Sequence, residues 1–193
     1  MVEVLVSVAL FSIVMVVALG ALVSLSSAVK RAEALDTSTN NLAAALDAMS
    51  RAIRTGYVYH CGPGWTLPLS TQDCAGGDSR FTFQDGDNPS NQVTYCLVDA
   101  TADAANCSGS TSCPSGDSCI VSRSKAGSAF VPLTSAEVNV SNLSFIVNGS
   151  APGPGDLVQP KVTMLLVGTI SLGGGVTSSF KLQTSISQHL YDQ

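Results

Sequence analysis

Charge is nearly absent from the first 29 of the 193 residues, where Glu3 stands alone before Lys30 and Arg31. Only 12% of the chain is charged, 6% is aromatic, and two residues are histidine. The lack of charge at the start excludes an ordinary water-facing surface for that segment. Histidine, the side chain most often used in acid–base catalysis, occurs at two positions only. His60 adjoins Cys61, but neighbours in sequence seldom face each other productively, and His189 lies in the C-terminal strand or tail. Neither a phosphate loop nor a dinucleotide fingerprint occurs, because Gly173-Gly174-Gly175 lacks the lysine and flanking pattern such loops require. No catalytic residue is assigned, no cofactor is expected, and the chain reads as a non-enzyme.

What the start does contain is an apolar run from Val4 to Val29, 26 residues without a charge. As a helix it is roughly 39 Å long, enough to cross a hydrocarbon core of about 30 Å with some tilt. An ionised carboxylate in lipid costs several kcal/mol unless it is paired, so Glu3 at the head of this run implies a partner charge. The plainer alternative is a boundary residue that reaches back to the headgroups.

The net charge of −5 lies wholly beyond residue 54, since the first 54 residues balance four acids with four bases. An acidic head is a poor ligand for phosphate backbones, so no intrinsic nucleic-acid site is expected. Cys61, Cys74, Cys96, Cys107, Cys113 and Cys119 all fall in this head. An even count without close Cys-x-x-Cys pairs points to three disulfides in an oxidising compartment, and away from zinc. Lys30 and Arg31 pull the other way, because the positive-inside rule would hold the head in the cytoplasm. Six cysteines outweigh one basic pair.

The helix is expected to continue past the membrane surface. Leu35, Leu42, Leu46, Met49 and Ile53 share one stripe, and Ala43, Ala44, Ala45, Ala48 and Ala52 favour helix between them. The stripe fits a helix lying on its own sheet better than a coiled coil of two to three heptads. An end near Thr55-Gly56, with Gly in a left-handed cap, is predicted. Gly20 either loosens the helix locally around Ser12 to Gly20 or offers a close-packing surface to a neighbouring helix.

Beyond Gly56 the pattern changes to strands. β-prone runs cover Phe81–Phe83, Val93–Val98, Cys119–Arg123, Val138–Val147, Lys161–Ile170 and Val176–Ser187. Turn residues separate them at Asp85-Gly86-Asp87-Asn88, at Lys125-Ala126-Gly127-Ser128, at Gly173–Gly175 and in the loop Gly149–Gly155. The predicted fold class is α+β, a long N-terminal helix packed on an antiparallel sheet. It divides into an apolar helix at 1–29, an amphipathic continuation at 30–55 and a β head at 56–193.

The stretch from about 99 to 118 lacks large apolar residues and reads as an insertion stapled by cysteines. Pairing Val93–Val98 with Cys119–Arg123 as a hairpin would join Cys96 to Cys119 and Cys107 to Cys113, leaving Cys61 for Cys74. Asp85, Asp87, Asn88 and Asn91 invite calcium, but the twelve-residue calcium loop is not completed and an Asp-Gly hairpin turn is the simpler reading. Asn106, Asn139, Asn142 and Asn148 stand in acceptor spacing for N-glycosylation, a pattern that abundant Ser and Asn also produce by chance.

The start Met1-Val2-Glu3-Val4-Leu5-Val6-Ser7-Val8-Ala9-Leu10-Phe11 resembles the mature N-terminus of type IV pilins and of the pseudopilins of type II secretion. The resemblance is specific to about residue 55 and architectural beyond it. In that family an N-methylated Phe and one further residue, after a basic leader ending in Gly, precede the position matching Met1. The resemblance therefore implies a mature subunit whose first two residues lie ahead of this sequence, and a leader that holds the N-terminus inside while the head goes out. It also implies a structural filament subunit, first held in the inner membrane and then part of an extracellular pilus. Glu3 would pair the terminal amine of a neighbouring copy, and Gly20 would stand where many pilins carry a helix-breaking proline. The implied partners are copies of itself, other pilins, a prepilin peptidase, an assembly ATPase and an inner-membrane platform. A minor or initiating subunit, and a monomeric anchored binding module, are the alternative readings.

Overall fold

The computed structural model describes residues 1–63, 70–88, 90–98, 107, 113, 118–123, 128–151 and 158–189. The first element, α1 (Val2–Thr55), is a single helix of 54 residues, roughly 80 Å at the standard rise. Proline is absent from this stretch, and a lone glycine costs only about 1 kcal/mol against alanine. Accordingly α1 runs without a break through Ser12 to Gly20, and of the two readings of Gly20 the local loosening is not seen.

The helix stops where predicted but by a different device. Gly56 is extended, at φ −72° and ψ 166°, and is not left-handed; its N–H reaches the carbonyls of Ala52 at 3.0 Å and Ile53 at 3.2 Å. What requires glycine here is space, because a Cβ at this position would collide with the ring of Phe83.

Among the described residues nine strands follow: β1 (Tyr57–Cys61), β2 (Cys74–Asp78), β3 (Arg80–Gln84), β4 (Gln92–Val98), β5 (Cys119–Arg123), β6 (Val131–Pro132), β7 (Val138–Asn148), β8 (Lys161–Ser171) and β9 (Thr177–Ser187). They form two antiparallel sheets where one was expected, in the orders β1-β3-β4-β5-β6 and β2-β7-β8-β9. All six predicted strands are present. β1, β2 and β6 went unpredicted for local reasons. β1 carries a register irregularity and a positive φ of 52° at Val58, β2 reads Cys-Ala-Gly-Gly-Asp, and β6 has two residues. Most of the 99–118 insertion, the turn Lys125-Ala126-Gly127 and residues 152–155 of the expected loop lie outside the described residues.

Ser38, Leu42, Ala45, Met49 and Ile53 form the buried stripe of α1, with Leu35 and Leu46 half-buried beside it. Their spacing of three and four residues aims one face at the head, so the stripe serves α1's own sheets as predicted. Facing it are Val162, Met164, Leu166 and Ile170 of β8, whose alternation with half-exposed Thr163, Leu165, Val167 and Thr169 marks a sheet with one solvated side. The predicted face of β9 is graded: Ile186 is buried, Phe180 and Thr184 are half-buried, and Leu182 at the strand's middle is 38% exposed.

The two sheets meet through aromatic rings. Phe81 of β3 stacks on Phe145 of β7 with centroids 5.3 Å apart, and Tyr59, Phe83 and Tyr95 extend the cluster. Tyr59 donates its hydroxyl hydrogen to the carbonyl of Ile53, which ties this cluster to the end of α1. Burial, and then the nearby charge of Asp85, push the Tyr95 phenol up to about 12; burial also raises Tyr59. A tyrosine with a raised folded pKa gives stability that is complete below its unfolded value of about 10 and is lost as pH climbs through the folded value. The urea midpoint of the head should therefore hold from about pH 8 to 10 and fall steadily toward pH 12, with the fall reduced in Tyr95→Phe.

Candidate functional site

The residues with most to say about function are those the head leaves uncovered. From Val2 to Val29 every large apolar side chain of α1 is exposed, from 48% at Met15 and Val29 to 75% at Val2. Soluble monomers rarely show so long a continuous apolar surface. This segment is long and apolar enough to cross a membrane, and it fits membrane anchoring. Its polar side chains are partly hidden: Ser7, Ser12 and Ser27 each return a hydroxyl hydrogen to a carbonyl of their own helix, at 2.8 Å. Such back-bonding lets serine sit in an apolar setting at low cost.

Glu3 lies in the first turn of α1, where the positive end of the helix dipole favours a carboxylate. It makes no ion pair among the described residues. Lys30 and Arg31 close the apolar segment about 40 Å away along the axis, too far to neutralise it within one chain. At Gly20 a Cβ would meet no atom within 4 Å, so that flank of the helix is open.

All six cysteines are paired, as suits an oxidising compartment. Cys61–Cys74 is as predicted and joins β1 of one sheet to β2 of the other, with Cα atoms 5.8 Å apart. The other two expected pairs are replaced. Cys96 bonds Cys107 and Cys113 bonds Cys119, with Cα separations of 6.6 and 5.6 Å. Strand register explains the correction. β4 and β5 pair as a hairpin, but Cys96 faces Val121 and Cys119 faces Val98, so the two cysteines are diagonal and not opposed. Each end of the insertion is instead stapled to its own flanking strand.

The remaining sequence candidates resolve into structure. Because Cys61 is in a disulfide, His60 has no thiolate beside it, and its ring nitrogens lie 2.7 Å from the carbonyl of Ser70 and 3.3 Å from that of Pro63. In the β3–β4 turn, Asp85 accepts from the N–H of Asp87 and Asn88 from that of Ser90, each at 3.2 Å. Those oxygens serve the turn, and among the described residues no group of three or more His, Cys, Asp or Glu side chains could hold a metal. Of the possible glycan acceptors, Asn139 is half-buried, Asn142 and Asn148 are exposed on β7, and Asn106 lies outside the described residues.

Sequence reasoning missed Asp73. Its carboxylate accepts the N–H groups of Gly149 at 3.0 Å and Ser150 at 2.9 Å, pinning the end of β7 beside β2. Burial acts to raise its pKa, but hydrogen bonds from the Ser150 side chain and from the two N–H groups together outweigh that and hold it below the ordinary carboxylate value. A lone Asp between Gln72 and Cys74 gives no sequence signal, since its partners lie more than seventy residues away.

No family model, curated protein or solved structure matches the chain. The functional reading therefore rests on the residues and their arrangement.

Replacing Cys61 and Cys74 together by alanine should lower head stability by about 2–4 kcal/mol, read as a shift in the urea midpoint under non-reducing conditions. Asp73→Ala should cost about 1 kcal/mol at neutral pH, discounting for solvent screening. Because the folded pKa is depressed, that difference should be present above the ordinary carboxylate value and vanish as pH falls through the folded one. Urea titrations of both proteins at neutral and acidic pH would show the gap closing.

Proposed function

We propose that this chain is a structural subunit of a type IV pilus-like extracellular filament, and that it polymerises through the apolar half of α1. One observation carries the reading: a 26-residue uncharged helical segment, uncovered by its own head among the described residues, begins immediately after a single carboxylate that makes no ion pair among them. In the inner membrane lipid would cover this surface. In a filament, copies of the same helix would cover it instead, with the disulfide-stapled heads outside.

Moving from lipid to a bundle of like helices exchanges one apolar setting for another, so packing must supply the preference. Ala9, Ala18, Gly20, Ala21 and the serines at 24, 26 and 27 give the small surfaces that close approach needs. Glu3 sets the register by pairing the terminal amine of a neighbouring copy, cancelling two charges in a dry core. Removing one member of such a pair costs about 3–5 kcal/mol. The supporting partners are the processing peptidase, assembly ATPase and membrane platform that go with this kind of filament.

Glu3→Ala should leave the head folded and membrane-inserted but abolish incorporation into filaments. Electron microscopy of filaments sheared from the cells, with mass spectrometry of their subunits, measures this directly. Normal filament yield from the variant would overturn the pairing. Presence of the native chain in membranes, together with its rarity or absence in filaments, would shift the reading to a minor subunit or a tethered module.

A further inference from the structure

A polar groove of about 470 Å³ opens where the end of α1 meets the end of β9, lined by Arg54, Gln159, Ser185, Ser187, Gln188 and His189. We infer that this groove binds a compact oxyanion, a phosphate or carboxylate group carried on an external ligand. The groove lies at the foot of the head and does not depend on whether the apolar half of α1 polymerises.

The lining offers one guanidinium, one imidazole, two amides and two hydroxyls, and no carboxylate among the described residues. Arg54 is exposed and makes no ion pair among those residues, while nearby Arg51 is held by Asp47 four residues before it. Lys161 of β8 is exposed and stands directly opposite Ser187 in the strand register, adding a second cation at the rim. Among the described residues the charged groups at the groove are cationic, in a chain whose net charge is −5.

Helix C-termini ordinarily repel anions through their free carbonyl oxygens. Here the oxygens of Ala52, Ile53 and Arg54 are occupied. The carbonyls of Arg51 and Ala52 share the single hydroxyl hydrogen of Thr55, each at 3.3 Å, and Ile53 accepts from Tyr59. Arg54 accepts from the N–H of His189 at 2.9 Å, and Gly56 accepts from the Gln188 amide at 3.1 Å. The same bonds fix the walls: the N–H of Gln188 is held by Pro160 at 3.0 Å, and its carbonyl accepts from the Gln159 amide. Each glutamine amide spends one of its two N–H hydrogens in these bonds, and the Ser185 hydroxyl meets that of Thr163 at 3.0 Å, so the side chains are held in place before any ligand arrives, which lowers the ordering cost of binding. An arginine beside hydroxyl and amide donors is the arrangement that planar or tetrahedral oxyanions select.

The test is a titration of the full chain in detergent micelles with sodium phosphate, and separately with sodium acetate, at constant ionic strength, followed by amide NMR. Saturable shifts of Ser185, Ser187, Gln188 and His189 are expected, with affinity reduced roughly fivefold in Arg54→Gln, as for loss of one exposed charge-assisted contact. His189→Gln retains the backbone N–H that caps Arg54 and serves as the second variant, with a smaller loss expected. Saturation by phosphate points to a phosphorylated ligand, and saturation by acetate to a carboxylated one; either supports the site. Shifts that stay linear with concentration for both anions, or an affinity unchanged in Arg54→Gln, would overturn it.

Discussion

One helix is asked to satisfy two surroundings, and the boundary between them lies near Leu35. Past that point α1 has a stripe that its own sheets bury; from Val4 to Val29 the helix carries no charge and no face of it is covered. The rest of the structure follows from this division. The head must be stable without help from the first half of α1, so its core is assembled from the second half, two sheets and an aromatic cluster that bridges them. The first half contributes nothing to that core and is available to whatever apolar surroundings receive it.

Holding two sheets together around one helix stripe takes cross-links as well as apolar area. Phe81 on Phe145 and Cys61 on Cys74 both run from one sheet to the other, one by ring contact and one covalently. Asp73 pins the same edge by hydrogen bonds to the turn after β7. These three devices lie close in sequence or register, and together they compensate for β2, whose Cys-Ala-Gly-Gly-Asp sequence has little propensity to hold a strand by itself.

The helix and the longer strands were legible because they rest on periodicity, which is local. The spacing of Leu42, Met49 and Ile53 names a buried face, and the β-branched runs of β7 and β8 name strands. Glu3 stands out for the same reason, since a lone charge against an apolar run needs no tertiary context to be noticed. What the sequence withheld depends on distant partners. The division into two sheets, the Cys96–Cys107 and Cys113–Cys119 pairs and the Asp73 clamp are each decided by register or by contacts remote in the chain. The extended conformation of Gly56 belongs with them, since Phe83 and not the helix end makes glycine necessary there.

The closure of α1 by Gln188 and His189 has a mechanical side. A pull along the helix axis would enter the head at Thr55, and a head tied to its helix only through the following strand would take the whole load at that one joint. Here the end of the last strand grips the carbonyls of Arg54 and Gly56, and Tyr59 grips that of Ile53. Tension is thus divided between the beginning and the end of the β head, and several short bonds must shear together before the helix can be drawn away.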